Sequence, residues 1–129
     1  MIAAGILALI VVAIYGRTAT FDFIQYDDQV YVSENPLVLN PSKELLARIW
    51  VSPREGVYIP LAYTAYWAIG RMAEIETPTG ATGVDAGPFH FASMLVHLTC
   101  SWLVWLLVWQ LFRNQWGAVA AGLLFACHP

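Results

Sequence analysis

The chain has 129 residues, 59% of them hydrophobic and 12% charged, with a formal net charge of −3. Soluble domains carry about a quarter charged residues, so this composition excludes an ordinary soluble domain. The small charge gives no reason to expect a nucleic-acid partner. Every Asp and Glu lies between Arg17 and Asp85, together with every basic residue except Arg113. Almost uncharged flanks around one charged stretch are the pattern of membrane spans about a solvated loop. The two cysteines, Cys100 and Cys127, lie in apolar segments. They read as small buried thiols rather than as a disulfide framework.

Taken in order, Met1 to Tyr15 is an unbroken apolar run. As a helix it covers roughly 22 Å, short of the ~30 Å hydrocarbon core. Three readings stand for residues 1–16: a membrane helix clipped at its start, a short helix extended by Gly16 to Ala19, or a signal-peptide core. The last lacks a basic leader and a small-residue cleavage site. Residues 17–87 form a long polar loop. Asn35-Pro36 and Asn40-Pro41 are turn or helix-start signals. Residues 42–51 then read as an amphipathic helix, with Leu45, Leu46, Ile49 and Trp50 on one face and Lys43, Glu44 and Arg48 on the other. A second helix is expected over 60–74. Its Tyr63, Tyr66 and Trp67 suit a membrane surface or, alternatively, an ordinary core. Residues 75–87 read as a flexible connector.

Residues 88–112 give the clearest span, tryptophan-rich and about 36 Å long as a helix. A polar turn at 113–116 follows, and 117–129 reads as a third span, rich in Gly and Ala for close helix packing. That last segment is short, so the chain reads as the N-terminal piece of a longer protein. The expected fold is therefore an all-α integral membrane protein. It has three transmembrane helices and one large loop bearing amphipathic surface helices. Arg113 places the short turn on the cytoplasmic side, which leaves the loop extracytoplasmic. This topology sends His90 and His128 to the same face as Asp27 and Asp28.

Asp27 and Asp28 carry the most chemistry. An acidic pair at the mouth of a membrane helix is expensive to desolvate. On an extended segment the two side chains point to opposite sides. One could then serve as general base on a hydroxyl acceptor while the other orients its surroundings; a solvated acidic turn is the competing reading. A divalent metal is possible but not favoured, because no Asp-x-Asp or His-x-x-x-His spacing occurs. His90 and His97 share a helix face about 10.5 Å apart along the axis, too far for one metal. His97 lies deeper and suits an interhelical hydrogen bond. Arg48, Arg54 and Arg71 are candidates for a lipid-linked phosphate, and the sequence does not choose among them.

Several segments, taken in order, resemble the transmembrane and tetratricopeptide-repeat O-mannosyltransferases and their bacterial relatives. They are Tyr26-Asp27-Asp28, Glu34-Asn35-Pro36, Tyr58-Ile59-Pro60-Leu61, Phe89-His90 with His97, and the run from Ala120 to His128-Pro129. The resemblance implies a C-type membrane glycosyltransferase that moves a sugar, mannose in the namesake enzymes, from a polyprenyl-phosphate carrier to a hydroxyl. That hydroxyl would be a protein Ser/Thr or a glycan, and transfer would invert the sugar. It implies that Asp27 matches the acidic residue of the first loop, a general base beside the donor, with Asp28 following it. Tyr58, Arg54, His90 and His128 would contact substrate. The site would face outward from a bacterial cytoplasmic membrane or into the endoplasmic reticulum. Ile59 stands where the family often has Arg, and Ser93 where Asn is common. The alternative reading is a small non-enzymatic membrane subunit that binds a partner through its loop.

Overall fold

The computed structural model describes residues 2–54, 56–78 and 80–128. The chain is mostly helical and divides into two units, Met1–Ala19 with His90–Pro129, and Thr20–Phe89.

The first unit contains α1 (Ile2–Tyr15), α6 (Gln115–Cys127) and all but the first turn of α5 (Ala86–Phe112). A 3-10 stretch, Gly16–Thr20, prolongs α1. The extension was one of three alternatives open for the N-terminal run. With it, Ile2–Thr20 spans 19 residues and α5 spans 27, and both are long and apolar enough to cross a membrane. The 13 residues of α6 are apolar but shorter. Leu7, Val11 and Ala126 are buried, with Trp102, Trp105 and Leu123 packed around them. At Gly122 a Cβ would come within 3.1 Å of Trp105 and 3.2 Å of Leu7, so the bare backbone permits the close packing. Trp102 Nε1 donates to the Ala4 carbonyl at 3.0 Å, tying α5 to α1. Asn114 caps α6, its side chain accepting from Trp116 and Gly117 N–H at 3.1 Å. Leu9, Leu111, Trp116 and Leu124 remain exposed. Cys127 is exposed too, against the buried thiol expected there, and Cys100 is only partly buried. An apolar helix face need not turn toward protein when lipid can cover it.

The second unit is built from short pieces. One π-helical turn (Gln29–Ser33) leads to α2 (Pro36–Leu39), α3 (Lys43–Ile49) and α4 (Pro60–Ala73). Asn35 explains the first junction: its side chain accepts from Leu37 N–H at 3.0 Å and donates to the Tyr31 carbonyl at 2.8 Å. It therefore caps α2 and closes the turn before it, while Pro36 suits the first helical position. Ser42 caps α3 through Leu45 N–H at 3.1 Å. Tyr63 is buried with Leu37 and Ile49, which makes this face of α4 a packed core. At Gly70 a Cβ would stand 2.7 Å from the Val38 carbonyl, so only Gly lets α4 approach α2.

Residues 75–87 are not a featureless connector. Glu74–Glu76 (β1) pairs antiparallel with Thr82–Val84 (β2), Ile75 opposite Gly83. Gly80 takes φ +79°, and the Thr77 hydroxyl bonds both backbone groups of Ala81, at 2.9 and 3.1 Å. These contacts close the hairpin. α5 starts two residues before the expected Pro88. Gly87 N–H donates to the Asp85 carboxylate at 3.1 Å, and a proline in the first turn sacrifices no helical bond.

Candidate functional site

The acidic pair belongs to the loop unit, and its backbone differs from the extended segment expected. Tyr26 N–H donates to the Ile24 carbonyl at 2.8 Å, a tight turn about Gln25. Asp27 and Asp28 then enter a helical turn, with Asp28 at φ −61°, ψ −34°. Successive helical residues differ by about 100°, so the two carboxylates do not point to opposite sides. The cause is local. The Asp28 carboxylate accepts Ile24 N–H at 3.0 Å and pulls the chain into the turn. Asp27 is exposed, and among the described residues no hydrogen bond or ion pair engages its carboxylate.

Asp28 also acts on Tyr66, which sequence reasoning did not single out as a site residue. Burial pushes the Tyr66 phenol above its ordinary pKa, and the negative charge of Asp28 pushes in the same direction. Tyr66 packs against the cluster of Val32, Val38, Ala73 and Phe89, alongside Phe23. The acidic turn is thus flanked by residues anchored in the same core as α4. No sequence signal separates Tyr66 from the other aromatic residues of α4.

Tyr58 and Arg54 lie in the strand-like turn between α3 and α4. Tyr58 Oη donates to the Trp50 carbonyl at 2.9 Å. Arg54 and Val57 exchange two backbone bonds of 2.9 Å, and Tyr63 Oη donates to the Arg54 carbonyl at 3.4 Å. Arg54 shares a cleft of about 350 Å3 with Arg48, Leu45, Ile49, Ser52 and Pro53. Arg71 instead lies over the Trp67 ring, 5.1 Å from its centroid.

His90 and His97 line a cavity of about 330 Å3 in the helical unit, with Tyr15, Thr18, Ser93 and Met94. His97 Nε2 lies 3.2 Å from the Ala126 carbonyl. Its ring stacks on Phe125 and meets Tyr15 edge-on. It therefore bridges α5 and α6, as its depth in the span suggested. His128 is exposed at the end of α6, its N–H bonded to the Leu124 carbonyl at 3.2 Å. Pro129, the last residue of the resembling run, lies outside the described residues, as does Met1 at the start of the first expected span. Among the described residues no three His, Cys, Asp or Glu side chains converge as a metal would require.

These features define a mostly helical protein with two helices able to cross a membrane and a structured polar loop between them. Among known proteins, the chain is similar to protein O-mannosyl-transferase Tmtc1 of Drosophila melanogaster, with 31% identity over 98% of this chain. The chain spans 14% of the length of that relative. No family model matches the chain, and no solved structure matches it.

Proposed function

We propose that the chain forms the N-terminal part of a membrane glycosyltransferase that moves mannose from a polyprenyl-phosphate carrier to a protein Ser or Thr hydroxyl. In this reading α1, α5 and α6 are three spans, and residues 17–87 lie on the extracytoplasmic side. That is the lumen of the endoplasmic reticulum, or the outer side of a bacterial cytoplasmic membrane. Tetratricopeptide repeats would follow later in the protein.

Asp27 is the general base. Its carboxylate takes the proton of the acceptor hydroxyl as the oxygen attacks the anomeric carbon. The bond from that carbon to the phosphate oxygen breaks, the polyprenyl phosphate leaves with the electron pair, and the sugar inverts. Asp28 holds the turn that presents Asp27. Tyr58, Arg54, His90 and His128 contribute substrate contacts. The similarity to Tmtc1 along almost the whole chain supports the class of reaction. The observation that carries the site is the division of labour in the acidic pair: Asp28 is engaged by Ile24 N–H, and Asp27 is exposed, its carboxylate unengaged among the described residues.

The test is Asp27→Asn in the full-length protein, assayed for transfer from polyprenyl-phosphate-linked mannose to an acceptor peptide. Losing a general base should slow transfer by roughly 10²–10⁴-fold while the amount of protein in the membrane stays the same. Near-normal transfer by that variant rules out the assignment.

A further inference from the structure

The cleft that holds Arg48 and Arg54 has the makings of an anion site. Two guanidinium-bearing residues line it, with Leu45, Ile49, Ser52 and Pro53, and no carboxylate among the described residues. Arg54 Nε is buried with no hydrogen-bond partner among the described residues. A buried N–H of a charged group left unbonded is costly, which points to a ligand that completes it. No ion pair engages either guanidinium among the described residues.

Two carbonyls on these same residues are already engaged. The Arg48 carbonyl, at the end of α3, already accepts Val51 N–H at 3.2 Å, Ser52 N–H at 3.1 Å and the Ser52 hydroxyl at 3.1 Å. The Arg54 carbonyl accepts Val57 N–H and the Tyr63 hydroxyl. Apolar walls at Leu45, Ile49 and Pro53 strengthen whatever charge-assisted bonds form inside. Arg71, the cation that competes on sequence grounds, is already placed over Trp67.

We propose that Arg48 and Arg54 together bind a phosphate group, as inorganic phosphate or as the headgroup of a phosphatidic-acid-like lipid. Planar guanidinium forks match paired phosphate oxygens. Exposed Trp50 and Val51 follow Arg48 at the end of α3 and give a lipid-borne phosphate an apolar neighbour. This proposal extends the substrate contact assigned to Arg54 to a two-arginine site, and it requires neither Asp27 nor catalysis. Asp27→Asn leaves phosphate binding intact, so failure of the site and failure of the transferase reading are distinguishable.

The experiment uses the full chain with ¹⁵N-arginine in phosphatidylcholine nanodiscs and follows the Arg54 Nε–H resonance, identified by its loss in Arg54→Gln. One arm titrates inorganic phosphate; the other replaces part of the lipid with phosphatidic acid. A saturating shift in at least one arm is expected, and the responding arm names the source. Arg48→Gln should weaken the apparent affinity roughly tenfold, the scale of one charge-assisted hydrogen bond, while Arg71→Gln leaves it unchanged. Arg48 is exposed on α3, so its replacement should not disturb folding. In a second sample labelled with ¹⁵N-tryptophan, the Trp50 Nε1–H signal, bonded to the Thr64 hydroxyl, reports that the fold is kept. No saturating shift in either arm, or an affinity unmoved by Arg48→Gln, overturns the proposal.

Discussion

The two units solve the same problem with different materials. The helical unit satisfies its backbone within long helices and leaves large apolar side chains outside, with Trp116 85% and Leu124 73% exposed. Among its described residues the loop unit has no helix longer than α4, and side chains stitch its short pieces together: Asn35, Ser42, Thr77 and Asp28 each bond backbone groups. Its cores are small, one around Leu37, Ile49 and Tyr63, the other around Val32, Val38, Ala73 and Phe89. A segment surrounded by lipid must close every backbone bond internally, and long helices do so without help. A solvated loop can leave polar groups to water, so its fold depends on specific caps and turns. The residues with candidate chemistry in the loop are held by this second kind of structure.

The sharpest way to break the comparison is one substitution made in both regions. Leu37 and Leu7 are each fully buried. Leu37→Ala removes apolar surface from a core of the loop unit and leaves a cavity, so it should cost about 3–5 kcal/mol. Leu7→Ala leaves a comparable cavity, but in the membrane-spanning reading proposed above a side chain unpacked into lipid returns to an apolar medium. Only the packing part, about 2 kcal/mol, should remain. Denaturant unfolding in bicelles, followed separately by probes in each unit, measures both. Equal costs would mean that water rather than lipid surrounds the helical unit.

A smaller effect separates two caps of the same residue type. Asn35 is buried and bonds both Leu37 N–H and the Tyr31 carbonyl. Asn114 is exposed and caps only α6. Asn35→Ala should cost about 2 kcal/mol because it strands buried partners; Asn114→Ala should cost about 1 kcal/mol or less. Hydrogen exchange at Leu37 and Trp116 reads the two losses. If Asn114→Ala proves the costlier, caps do not distinguish the regions.

The same contrast explains what the sequence made legible. α5 stands out because a long apolar run needs only composition to be seen, and α3 because Ser42 and its amphipathic spacing are local signals. The hairpin at 74–84 was hidden. Thr77 and Gly80 close it through turn chemistry, and its strands show no alternation of buried and exposed residues. The π-helical turn was hidden too, because its reason is a side chain reaching back from Asn35 to Tyr31. For the candidate site, the residue types in the acidic turn were readable, but its conformation was not. The bond from Ile24 N–H to Asp28 spans four residues and outweighs the extended preference assumed for the segment. The pairing of Arg48 with Arg54 depends on how α3 ends, which no local pattern encodes.

The smallest effect tests whether the acidic turn and α4 behave as one electrostatic unit. Tyr66 is the reporter. Its folded-state pKa lies above the ordinary 10.0, first because burial disfavours the phenolate and second because Asp28 repels it. A folded pKa above the unfolded one means the native state holds its proton longer. The resulting stability is fully present below pH about 10 and is lost as pH rises through the folded value. Tyr66→Phe should therefore flatten the stability profile of the loop unit in that alkaline window and leave it unchanged near neutrality. Asp28→Asn should lower the Tyr66 titration only part of the way, because burial remains. The Tyr66 ring ¹³Cζ shift, followed against pH in both backgrounds, measures this directly. A Tyr66 titration unmoved by Asp28→Asn would mean that the acidic turn does not sense α4. Asp28 would then act only through Ile24, and the turn that presents Asp27 would rest on one hydrogen bond rather than on the core beneath it.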